Sequence, residues 1–143
     1  MTIRPRSVRA LRDARVRLRD AAAASHAVAT AARDHSHLAL VRERGALEEY
    51  LDDATDILAA ATNVHDLSTV GDITGVYKLE IADASTRHDE AAAAAEASAD
   101  QLRDKARLLR RAEKLVERVA QDRAKSEAKV EQRMNDDMTT RKK

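Results

Sequence analysis

Five histidines, His26, His35, His37, His65 and His88, are the first candidates for chemistry, because imidazole both ligates metals and moves protons. A metal site on one helix needs two ligands at i, i+4 so that both face the same side, and no pair of these histidines has that spacing. His35 and His37 point apart on a helix, so the five read as seam or surface residues. The carboxylates Glu48, Glu49, Asp52, Asp53 and Asp56 do contain i, i+4 pairs able to share a cation. No histidine supports them, and like charges at that spacing cost only roughly a few tenths of a kcal/mol, which a solvated or partner-facing helix surface tolerates. The chain has no cysteine, which removes disulfides and thiolate chemistry, and fits an intracellular protein. It also has no phosphate-binding glycine loop, nucleophile elbow or zinc ribbon spacing. The expectation is a protein without catalytic residues, metal or cofactor, and not an enzyme.

The elements that hold these residues must be helices. The 143 residues contain no Phe, no Trp, two Tyr and three Met, and much of the 43% hydrophobic content is alanine, so large side chains for a compact core are scarce. Such a sequence fills narrow helix-on-helix seams. With 36% charged residues, three Gly and one Pro, it offers few places for a helix to stop.

From Ser7, a cap candidate after Pro5, apolar positions recur at helical steps through Val8, Leu11, Leu18, Ala22, Ser25, Val28 and Ala32. They resume in a four-three alternation at Leu47, Leu51, Ala54, Leu58 and Ala61. Residues 62–75 collect Asn63, Ser68, Thr69, Gly71, Asp72, Thr74 and Gly75, the densest group of helix breakers and cap formers, and are read as the turn. Periodicity then returns at Tyr77, Ile81, Ala84 and His88, and again at Leu102, Leu108, Leu109, Ala112, Leu115, Val116 and Val119. The sequence therefore predicts an all-α fold, a single long antiparallel two-helix coiled-coil hairpin. Helix one covers about 7–61, the turn about 62–75, helix two about 76–138, and a frayed tail 139–143. Past Val119 apolar residues thin out to Ala124, Ala128, Val130, Met134 and Met138, so the end of helix two projects freely or packs on a partner.

Net charge is +1, but it is divided along the chain. Residues 1–20 hold seven arginines against two aspartates, +5; residues 103–143 hold 14 basic against 8 acidic residues, +6; the middle holds 5 basic against 15 acidic, −10. A hairpin brings the two termini together, making one basic end and an acidic remainder. The arginines Arg4, Arg6, Arg9, Arg12, Arg15, Arg17 and Arg19 are the candidate binding residues of that end. Charge alone supports nucleic acid as their partner, since no aromatic residues are interleaved for base stacking, so that reading ranks last. The N-terminus has no continuous apolar stretch for a signal or membrane span, and the chain reads as cytoplasmic.

The stretch Leu108-Leu109-Arg110-Arg111-Ala112-Glu113-Lys114-Leu115-Val116-Glu117-Arg118 resembles the second helix of the type III export stalk proteins, called FliJ in flagella and YscO in injectisomes. Glu131-Gln132-Arg133-Met134-Asn135-Asp136-Asp137-Met138 is similar to that family's acidic-apolar step before a basic tail. The stripe Tyr77, Ile81, Ala84, His88, with Tyr50 on helix one, is similar to the surface by which flagellar members touch the export gate, although its four-three-four spacing also suits a helix seam. The resemblance implies a non-catalytic stalk in the pore of a hexameric export ATPase, cytoplasmic or peripheral to the membrane apparatus, with the ATPase and an export gate protein as partners. The alternative is a general coiled-coil scaffold or chaperone-like hairpin. Oligomeric state stays open, because a hairpin and a dimer of long helices use the same heptad positions.

Overall fold

The structure is a computed structural model that describes residues 5–60 and 63–140, with the side chains of 139 and 140 outside the description. Arg4, the expected helix end at Ala61, the first turn residue Thr62 and positions 141–143 of the expected tail lie outside the described residues. Two α-helices account for the fold, α1 (Pro5–Ala60, 56 residues) and α2 (Val64–Thr140, 77 residues), and no strand occurs among the described residues. The helices pack against each other antiparallel. As the α1 position rises from His26 to Ser36 to Tyr50, its partner on α2 falls from Ser98 to His88 to Tyr77.

Pro5 opens α1, a position where its fixed φ suits the helix and its missing N–H is not needed, so the helix starts ahead of the expected Ser7 cap. Between the helices, the Asn63 side-chain oxygen accepts a hydrogen bond from the Asp66 backbone N–H at 3.0 Å, and Asp66 puts a carboxylate in the first turn of α2. The helix is thus capped at Asn63 and already regular at Val64, which corrects the broad turn expected over 62–75. The supposed breakers sit inside it. Thr69 and Thr74 donate their hydroxyl protons to the carbonyls of His65 and Val70 four residues back. Gly71 and Gly75 have ordinary negative φ and open space where a side chain would stand. What carries the helix through this stretch is the seam, which runs unbroken through Asp66, Val70, Thr74 and Tyr77 into Ile81. At the far end α2 stays helical to Thr140, into the stretch expected to fray.

Contacts divide the chain into two compact units: unit 1, residues 1–23 with 101–143, and unit 2, residues 24–100. In unit 2 the α1 seam steps through His26, Ala29, Ser36, Leu40, Glu43, Leu47, Tyr50 and Ala54, a three-four alternation in which the intervening step, Arg33, is exposed. Its α2 side follows Tyr77, Ile81, Ala84, His88, Ala91, Ala95 and Ser98 in the same rhythm. Buried positions are mostly alanine (Ala54, Ala84 and Ala95, with Leu40), as expected where two backbones approach closely. In unit 1 the α1 seam is Val8, Arg12, Arg15, Arg19 and Ala22, set beside Leu109, Ala112, Val116 and Val119 of α2.

The apolar stripe expected on α1 is therefore displaced. Leu11 and Leu18 are exposed at 41% and 44%, and Val28 at 71%, while their neighbours Arg12, Arg19 and Ala29 take the seam. A heptad frame must be shared by the whole helix. Once Ala22, Ala29, Leu40, Leu47 and Ala54 fix it, stepping back four and three lands on arginines, whose aliphatic stems cover α2 while their guanidinium groups reach the edge. Leu51 and Leu58 fall just off the same frame and are exposed for the same reason. Beyond Val119, every residue of α2 from Ala120 to Met138 is exposed.

Candidate functional site

The arginines of unit 1 fall into two sets. Arg12, Arg15 and Arg19 are half-buried seam residues, and each of Arg12 and Arg19 turns its guanidinium onto the next residue, Asp13 or Asp20, at 2.7 Å. In unit 2, Arg33 repeats the arrangement with Asp34 at 2.7 Å. The three Arg-Asp steps share one heptad position, and the signal for it in the sequence is the seven-residue spacing from Arg12-Asp13 to Arg19-Asp20. Each pair is solvent-accessible and is worth at most about 1 kcal/mol; its geometric effect is to pull the guanidinium off the seam. The arrangement is imperfect at Arg19, whose Nε is buried with no partner among the described residues.

Arg6, Arg9 and Arg17 form the second set, exposed and without an ion-pairing carboxylate among the described residues. Arg9 and Pro5 line a shallow hollow of about 160 Å³ with Val8, Val116, Val119 and Arg123. Arg123 in turn pairs with Glu127 at 2.6 Å. Counted over the sequence, unit 1 holds 21 basic against 10 acidic residues, +11, and unit 2 holds 5 against 15, −10. The charge division read from the sequence thus coincides with the division into units, and unit 1 is the anion-seeking body.

The stripe Tyr50, Tyr77, Ile81, Ala84 and His88 lies in the unit 2 seam. The rings of Tyr50 and Tyr77 meet at 5.4 Å, Ala84 is 3% exposed, and Ile81 and His88 are half-buried. These five residues spend most of their surface on the helix pair itself.

Two histidines act as polar staples across the same seam. Ser98 is buried and donates its proton to the Ala95 carbonyl, so the 2.9 Å contact with His26 Nδ1 requires the imidazole to donate. The second staple has the same logic: Ser36 donates to the Arg33 carbonyl, leaving its oxygen to accept from His88 Nδ1 at 3.3 Å, with the His37 ring 5.3 Å from that of His88. The acidic residues Glu48, Glu49, Asp52, Asp53 and Asp56 are exposed, and no group of three or more metal-ligating side chains converges among the described residues. Among the same residues no helix is long and apolar enough to cross a membrane.

No curated protein and no solved structure matches the chain. The family model described as flagellar FliJ protein does match it, over residues 6–142, which takes in both helices, the arginines from Arg6 to Arg19 and the Tyr50–Tyr77 seam. With all but its outermost residues aligned to that model, the chain belongs to the FliJ family of flagellar proteins.

Proposed function

We propose that the chain is a non-catalytic central-stalk component of a flagellar protein export apparatus, acting in the cytoplasm at the membrane machinery. It engages a hexameric export ATPase through unit 1 and an export gate through unit 2, and hydrolyses nothing itself. The observation that carries the reading is the charge division, +11 against −10, in a member of the FliJ family. A strongly basic body of two helices suits a pore lined by carboxylates, where complementary fields speed and orient entry. Arg6, Arg9 and Arg17 are the outward residues that make this contact, with Arg4 beside them in sequence; Arg12, Arg15 and Arg19 contribute charge while holding the seam. A gate reading Tyr50, Tyr77, Ile81, Ala84 and His88 does so along the edges that the seam leaves in solvent.

The general scaffold is the second reading. It is favoured by the exposed end of α2, where Val130, Met134 and Met138 stand four residues apart on one ridge without a partner helix among the described residues.

The test is co-purification with, and stimulation of, the export ATPase of the source organism, comparing the native chain with Arg6→Glu/Arg9→Glu/Arg17→Glu. These sites are exposed, so the fold survives the change. Stimulation lost in the charge-reversed chain supports the stalk; absence of binding by either chain leaves the scaffold.

A further inference from the structure

The turn end of unit 2 is chemically unlike any other part of the molecule. Between Arg44 and Lys78 the sequence has no Lys or Arg and seven carboxylates, Glu48, Glu49, Asp52, Asp53, Asp56, Asp66 and Asp72. Amid this charge stand large apolar side chains that the helix pair does not cover: Ile57 at 51% and Leu58 at 37% near the end of α1, Val64 at 80% and Leu67 at 55% at the start of α2. Ile57 is the next heptad position after Ala54, so it continues the α1 seam, yet its surface is left open where Ala54 is 1% exposed. The α1 seam thus ends on an aliphatic residue that is only half covered, with Leu58, Val64 and Leu67 exposed in the adjoining turns. Single exposed leucines are ordinary on a protein surface; four large aliphatic residues in the last turn of one helix and the first turn of the next are a patch.

We infer that this end is a docking surface for an amphipathic helix of another protein, one with an aliphatic face flanked by Lys or Arg. The apolar face covers Ile57, Leu58, Val64 and Leu67, and the basic flanks meet the exposed carboxylates of Asp53 and Asp56. Charge selects this occupant. A second copy docking end to end brings seven carboxylates against seven, and an anionic membrane surface is repelled for the same reason. The inference rests on unit 2 alone and holds whether or not unit 1 engages an ATPase.

The experiment uses the full chain and three labelled 18-residue peptides, read by fluorescence anisotropy: a Leu/Lys amphipathic helix, the same peptide with every Leu changed to Ser, and a Leu/Glu amphipathic helix. The Leu/Lys peptide is expected to bind saturably at one per chain, and the other two at least about tenfold more weakly, since each lacks one half of the recognition. Ile57→Ser/Leu67→Ser, both more than half exposed, and separately Asp53→Lys/Asp56→Lys, should each weaken the Leu/Lys peptide about tenfold with unchanged helix content by circular dichroism. Equal binding of the Leu/Lys peptide by the native chain and both variants overturns the inference, as does equally tight binding of the Ser/Lys peptide, which reports bulk charge. Self-association abolished by Ile57→Ser/Leu67→Ser in sedimentation also overturns it, by making a second copy the occupant.

Discussion

Units 1 and 2 are built from the same two helices in the same heptad frame, but they close their seams with different chemistry. Unit 1 sets arginine stems, Arg12, Arg15 and Arg19, beside an aliphatic α2 strip of Leu109, Ala112, Val116 and Val119. Unit 2 sets alanine and leucine beside alanine, and fixes the pairing with His26–Ser98, Ser36–His88 and Tyr50–Tyr77. Arginine stems provide area without direction, so many registers serve them nearly as well. A hydrogen bond or a ring contact between named residues admits one register. Within unit 2 the paired side chains specify how the helices align, whereas the arginine stems of unit 1 leave its charge for outside contacts.

The largest effect should come from removing aliphatic anchors. Leu109→Ala in unit 1 and Leu40→Ala in unit 2, at 7% and 5% exposure, should each lower stability by about 2 kcal/mol, near the lower bound for such changes because a two-helix seam can partly collapse. Amide hydrogen exchange distinguishes the units. Loss of protection confined to 5–23 and 101–120 in Leu109→Ala, and to 24–100 in Leu40→Ala, would show the two units opening separately, and identical chain-wide loss in both would show one cooperative unit.

Next in size is the register staple. Ser98→Ala removes the acceptor of a half-buried imidazole and should cost about 1 kcal/mol in urea unfolding. Combined with His26→Ala, it should cost less than the two single changes together, a coupling of about 0.5 to 1 kcal/mol; additive losses would mean the contact is not made in solution. Arg19→Met in unit 1 tests the opposite case. It deletes a buried Nε with no partner and keeps the stem, and should raise stability by about 0.5 to 1 kcal/mol. A decrease would show the Arg19–Asp20 pair to be structural.

Much of this architecture was legible in the sequence, and the failures are instructive. Helical content followed from alanine, charge and the scarcity of Gly and Pro. The α2 seam from Tyr77 to Val119 was readable because the large residues Tyr77, Ile81, Leu102, Leu109, Val116 and Val119 share the frame, with Leu108 and Leu115 each one position ahead of it. On α1 they do not. Leu11, Leu18 and Val28 imitate a stripe one position or so from the true one, because in a narrow seam alanine packs better than leucine and arginine is not expected inside. The outward arginines were readable as a charge run, but their separation from Arg12, Arg15 and Arg19 was not, since it depends on the frame. The Tyr50–Tyr77 stripe was legible as a four-three pattern compatible with either surface or seam, and only the pairing of the helices puts the two rings together.

The smallest effect bears on where unit 2 begins its second helix. Glycine favours loops, yet Gly71 and Gly75 both lie in α2 with helical dihedrals and open space at the Cβ position. A glycine in that setting destabilises a helix, since it loses more backbone freedom on folding than alanine does. Gly71→Ala and Gly75→Ala should therefore each stabilise the chain by roughly 0.5 kcal/mol, additively, with a small rise in helical circular dichroism. If residues 64–75 instead formed the broad loop, alanine would gain nothing there or would strain a turn, and the melting midpoint would stay or fall. The sign of a small shift thus decides whether the unit 2 seam extends to the Asn63 cap or stops short at Tyr77, and with it whether Leu67 sits at the end of a rigid helix or on a loop.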